Sequence, residues 1–112
     1  MITARFYVKK DKSIHMTIRG HADAAPKGED LVCCAATTIA YTMAQAVQFI
    51  HEQHGLIKKP KIRLREGSAT IIATPTEEMY AQVLNVFWVG QCGCHVLARN
   101  YPKHVRLEHM QV

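Results

Sequence analysis

A two-layer α+β sandwich, with a mostly antiparallel sheet and two helices in the element order ββαββαβ, is the fold class that this sequence predicts. Three observations carry it. Five short segments are rich in β-branched and aromatic residues, two long segments repeat their apolar residues every three or four positions, and strong turn signals separate them. Runs of strands interrupted by only two helices favour segregated layers over alternating βαβ units. The chain has 112 residues, 48% of them hydrophobic. That suits a single domain over residues 1–112, with a core that needs no metal or disulfide staple.

Residues 2–8 and 13–19 alternate as strands around the polar turn Lys9-Lys10-Asp11-Lys12 and form a hairpin. From Leu31 to about Gln53, the positions Val32, Ala36, Ile39, Met43, Val47 and Ile50 make the stripe of an amphipathic helix. Asp30 is its natural N-cap. Gly55 and then Lys59-Pro60 stop it. A second hairpin follows, in which Ile62 and Leu64 alternate with arginines, Glu66-Gly67-Ser68 turns, and residues 69–73 carry Thr70, Ile71 and Ile72. Thr74-Pro75-Thr76-Glu77 reads as a capping box, with Thr74 as N-cap, Pro75 at the first helical position and Glu77 reaching back. The helix it opens uses Met79, Val83, Val86, Phe87, Cys94 and Leu97 as its apolar set and runs to about Asn100. Tyr101-Pro102 breaks it before a last strand over roughly residues 103–108.

Composition narrows the setting. No apolar run approaches the roughly 20 residues of a membrane-spanning helix, and Met1 to Val8 alternates like a strand instead of showing the regions of a signal peptide. A cytoplasmic protein with no membrane partner is expected. Cys33-Cys34 and Cys92/Cys94 come as two close pairs, which suits reduced thiols better than a disulfide framework. Cys92-Gly93-Cys94-His95 has the look of a metal site, but on a continuous helix Cys92 and Cys94 point about 200° apart. No second ligand pair has the usual spacing, so neither a metal nor any other cofactor is expected. The net charge is +5, concentrated at Lys58, Lys59, Lys61, Arg63 and Arg65. Such a cluster is either a contact for RNA or a ribonucleoprotein or a solvated strand face.

The chemistry centres on Gly20-His21-Ala22 and on Gly28-Glu29-Asp30-Leu31-Val32-Cys33. Asp30 as N-cap puts Cys33 in the first helical turn, where free N–H groups and the helix dipole favour a thiolate and can hold an oxyanion. His21 lies at a strand end twelve residues earlier, and the loop between can bring its imidazole to the sulfur as general base and acid, with Gly20 and Gly28 as hinges. Each residue has a plainer reading. Small cysteines near helix starts are more often packed than reactive, an isolated histidine is most often a surface residue, and Asp30 alone is a cap. Cys34 is turned about 100° from Cys33 and is assigned to packing. His15, His51, His54, His95, His104 and His109 share no spacing with a carboxylate and are placed on the surface.

The run Gly20-His21-Ala22, Gly28-x-Asp30-Leu31-Val32-Cys33, then Ala35, Ala36 and Thr37 closely resembles the signature of the ribosomal-processing cysteine proteases, the Prp family. Chain length, element order and the closing Tyr101-Pro102-Lys103 strand are similar as well. The resemblance implies a cysteine endopeptidase that removes the N-terminal extension of a large-subunit ribosomal protein, cutting between an aromatic residue and alanine. It places His21 and Cys33 on the catalytic dyad and Asp30 on the motif aspartate. It also implies a homodimer and a mobile loop over the site, here about Ala22 to Glu29. Two departures stand out: Cys34 where a small non-thiol residue is common, and Thr37 where serine is common. The expected mechanism has Cys33 attack the scissile carbonyl, His21 move the proton, and helix N-terminal amides hold the oxyanion. Asp30 either orients His21 or only caps the helix. Two rival readings are a non-enzymatic ribosome-associated or RNA-binding module, and a thiol redox protein using Cys33 and Cys34. The first lacks interleaved aromatic residues and the second lacks Cys-x-x-Cys spacing.

Overall fold

The computed structural model, which describes residues 1–23, 25 and 30–108, runs β1 (Ile2–Val8), β2 (Ile14–Gly20), α1 (Leu31–Glu52), β3 (Lys61–Arg65), β4 (Ser68–Ala73), α2 (Tyr80–Asn100) and β5 (Val105–Glu108). The strands form one sheet in the order β3-β4-β2-β1-β5. Neighbours are antiparallel except β1 and β5, which are parallel. It follows that β2 and β3 point one way and β4 and β5 the other, so α1 and α2 are both crossovers between like-directed strands. One crossover moves left from a downward strand and the other right from an upward strand. A right-handed path puts both helices on the same side of the sheet.

The pleat matches that arrangement. Ala4 pairs with Ile18 and Phe6 with Met16; Met16 then pairs with Ile71 and Ile18 with Ala69. Paired residues share a face, and all of these are buried. α1 lays Val32, Ala36, Ala40, Met43 and Val47 on them, and α2 adds Val83, Phe87, Cys94 and Leu97. The two helices approach closely at Gly90, where any Cβ would run into the Met43 thioether. By length and composition α1 contradicts the expectation of no membrane-length segment, since its 22 residues contain a stretch of mean hydropathy 1.2. Its apolar stripe packs on the sheet and on α2, as a core helix does.

Two further expectations fail for physical reasons. The capping box at Thr74 is absent and α2 begins at Tyr80. Instead Ile57 donates to the Thr74 carbonyl at 2.8 Å, Thr76 donates to the Gly55 carbonyl at 3.0 Å, and Pro75 bridges Leu56, so residues 74–76 stay extended. Tertiary pairing outweighs the local helix signal there. α1 does end where the sequence predicts, but the left-handed residue is His54 at φ 63°, with Gly55 donating to Ile50 behind it. His15 is not a surface residue. It is 4% exposed, its Nε2 lies 2.8 Å from Ser13 Oγ, and its ring stacks on Tyr7 at 4.6 Å. Ser13 Oγ donates to Asp11 Oδ1 at 2.5 Å and therefore accepts from His15 Nε2–H.

Burial, reinforced by the Lys9 charge and opposed by Asp11, holds the His15 pKa below its ordinary 6.5. The unfolded chain therefore takes up this proton first, and acid favours unfolding. Stability should fall as the pH drops through 6.5 and level off below the depressed folded value. Urea midpoints measured on either side of that pH check this, and His15→Gln should flatten the slope. Asp11, held below 3.8 by its bonds from Ser13, adds a separate loss only in stronger acid.

Candidate active site

β2 leaves the sheet at Gly20, whose N–H donates to the Gly67 carbonyl at 2.9 Å. The chain then runs through His21 and Ala22 toward the start of α1. Asp30 ends the approach as the helix cap, its Oδ1 accepting from Val32 N and Cys33 N, both at 3.0 Å. Those bonds set the first turn of α1 and with it the direction of the Cys33 side chain. The sulfur meets the returning strand end directly: Ala22 N–H donates to Cys33 Sγ at 3.3 Å. The carbonyl of that same amide, His21 C=O, accepts from the Met1 amino group at 2.6 Å, and the next carbonyl along, that of Ala22, lies 2.7 Å from His104 Nδ1. Ala22 is buried, so this residue is a fixed joint between β2, α1 and the segment leading into β5.

A cleft of about 640 Å³ opens between the β3–β4 turn and the first three turns of α1. His21, Asp30 and Cys33 all line it, as does Gly20. Gly28 and most of the expected lid from Ala22 to Glu29 lie outside the described residues. His21 is exposed on the cleft wall, with its ring against Gly67, where a Cβ would stand 2.8 Å from Nε2. No hydrogen bond joins the imidazole to Cys33 among the described residues. The structure brings the two groups to one cleft.

Two assignments are corrected here. Cys34 does not pack: it is exposed and lines the same cleft, which wraps far enough around α1 to reach it. His104 is half-buried and bonded, not a surface residue. The cap also changes the chemistry of the helix start. The Val32 and Cys33 N–H groups expected to hold an oxyanion are already occupied by Asp30. The N–H that stands at the sulfur is that of Ala22. Sequence reasoning missed Ala22 N–H, Gly67 and His104, because each acts through a long-range contact with no local spacing to mark it.

Cys94 is unlike Cys33. Burial pushes the Cys94 thiol up to about 12, which makes it inert. Among the described residues no group of three or more His, Cys, Asp and Glu is gathered as a metal site would need. What the cleft offers is a half-buried thiol at a helix start, an imidazole across from it, and room for an extended chain.

Residues 1–106 match the family described as cysteine protease Prp. No curated protein matches the chain. Among solved structures, the chain is similar to the essential ribosomal processing protease Prp from S. aureus with a covalently linked product peptide, at TM-score 0.75 and 21% identity over 99% of this chain and 100% of that one. The same protease with a substrate peptide gives 0.67 and 16%, over the same shares of each chain. SMU.848 from Streptococcus mutans gives 0.69 and 23%, covering 99% and 96%. Their fold is the fold described above.

Asp30→Ala should cost about 1 kcal/mol of stability and Asp30→Asn almost none, since asparagine caps about as well; urea denaturation separates them. Gly67 stands at φ 70°, where a side chain is strained by roughly 1–2 kcal/mol. Gly67→Ala should lose stability on that scale and shift the His21 ring resonances in an NMR spectrum.

Proposed function

The chain belongs to the cysteine protease Prp family, and from that premise we propose that it removes the N-terminal extension of a large-subunit ribosomal protein, cutting between an aromatic residue and alanine with Cys33 and His21 as its dyad. The observation that carries the reading is the Cys33 thiol at the start of α1, bonded by Ala22 N–H and opening on the cleft that His21 also lines. A family of cysteine proteases leaves no need for the non-enzymatic or redox alternatives. The S. aureus protease is known with a substrate peptide and with a covalently linked product peptide, which supports a peptide substrate for this chain.

In the proposed reaction the His21 imidazole takes the proton from Cys33 Sγ, and the sulfur adds to the scissile carbonyl carbon. Ala22 N–H is the donor at hand for the oxyanion that forms, and it moves from sulfur to oxygen at that moment. Collapse breaks the C–N bond, the protonated imidazole gives its proton to the leaving amine, and a thioester remains on Cys33. Water then attacks with His21 as base and releases the carboxylate. Asp30 serves as the cap that orients Cys33, and Thr37, which donates to the Cys33 carbonyl at 2.8 Å, steadies the same turn. The enzyme would work in the cytoplasm as a homodimer, for which Trp88, Val89 and Val96, exposed along α2, supply an apolar surface.

The purified protein mixed with the extended ribosomal protein should produce one cut, read by intact-mass spectrometry, and Cys33→Ala should abolish it. An intact substrate with the wild-type protein under reducing conditions would overturn the reading.

A further inference from the structure

The sheet face opposite the helices carries neither His21 nor Cys33, and it meets the cleft only at its rim, at Arg65 and Ser68. Its register gathers what the sequence scatters. Arg65 pairs with Ser68, Ser68 with Arg19, Arg19 with Thr3 and Thr3 with Arg106 in one row. Arg63 and Arg5 lie in the next row and Lys61 in a third. All six cations are exposed. Within the strands a single carboxylate answers them, Glu108, which contacts Arg5 at 2.7 Å and Arg106 at 3.7 Å. Because both crossovers run on the far side, neither helix packs over this face, although its third row is closed at His15, which is 4% exposed.

We infer that this uncovered basic face is a docking surface for the phosphate backbone of RNA. Four considerations select that partner. The face spans five strands, roughly 20 Å, with side chains about 7 Å apart along each strand, so several phosphates can be met at once. Five of the six cations are arginines, whose planar forks match phosphate oxygens; of these, Arg19 already donates to the Ala69 carbonyl and Thr70 Oγ1 and offers only the rest of its fork. The centre of its first two rows is polar, filled by Thr3, Thr17 and Thr70, and the apolar Ile72 stands only in the third, so it lacks the broad apolar centre that a protein partner buries. Its one aromatic residue, Tyr7, is occupied by His15 at 4.6 Å and by the Arg5 guanidinium at 5.7 Å. Backbone contact, without base stacking or sequence readout, is therefore what it provides. This places the contact on a surface different from the run that the sequence suggested: Lys61, Arg63 and Arg65 belong to it, whereas Lys58 and Lys59 precede β3. The inference deepens the ribosomal reading, because it gives the protease a means of holding a substrate already associated with RNA.

Binding of a fluorescent RNA duplex, followed by anisotropy over a salt series, tests it. Wild-type protein should bind with a log–log salt slope of about four to five in magnitude. Lys61→Glu with Arg63→Glu should weaken binding about tenfold or more and lower the slope by about two, while cleavage of a free peptide is unchanged. Lys58→Glu with Lys59→Glu should have a clearly smaller effect. Equal losses from both pairs, no binding by the wild type, or equally good competition by poly-glutamate would overturn the inference. So would a change of oligomeric state on Lys61→Glu with Arg63→Glu, since that would mean a second copy covers the face. RNA binding with no peptide cleavage would overturn the protease reading and leave this one standing.

Discussion

Phe6, Met16 and Ile71 lie side by side across β1, β2 and β4 and are fully buried beneath α1 and α2. Each contributes about 1.5–3 kcal/mol of burial, and none could do so if either helix crossed on the other side. The handedness of the two crossovers and the period-two pleat thus enforce one outcome: an apolar face sealed by helices and a polar face left to water. The position of α1 over that seal then decides where its first turn, and so Cys33, must sit.

Ala22 transmits that decision to the chemistry. Its N–H reaches Cys33, its carbonyl takes the His104 imidazole, and the residue before it is the proposed general base. Three elements distant in sequence meet at one residue. A buried residue whose N–H and C=O are both satisfied is held in a way that a surface loop is not, which suits the donor proposed for the oxyanion. Asp30 complements it from the helix side, because the bonds that cap α1 also occupy the amides that would otherwise compete for that oxyanion.

How much of this was legible in the sequence follows from the range of each interaction. Alternation in residues 2–8 and the stripe from Val32 to Ile50 are local patterns, and the strands and α1 appear where they predict. Asp30 could be read as a cap because capping reaches only three residues along the chain. Thr74-Pro75-Thr76-Glu77 misled, since its local preference loses to pairing with residues 55–57. His15 and His104 were misplaced on the surface for a related reason: their partners, Tyr7 and Ala22, are brought to them by the sheet and by the turn before β5. The six cations were visible one by one, but only the register across five strands makes them a single surface.

β3 forms one edge of the sheet, so half of its backbone N–H and C=O groups face outward. An edge of that kind is a template for joining another chain strand to strand, and natural proteins guard against it with charge. Lys61, Arg63 and Arg65 alternate along this edge. Two such edges brought together would stack like charges against each other, and the protein is thereby kept from polymerising through the very strand that borders its active cleft.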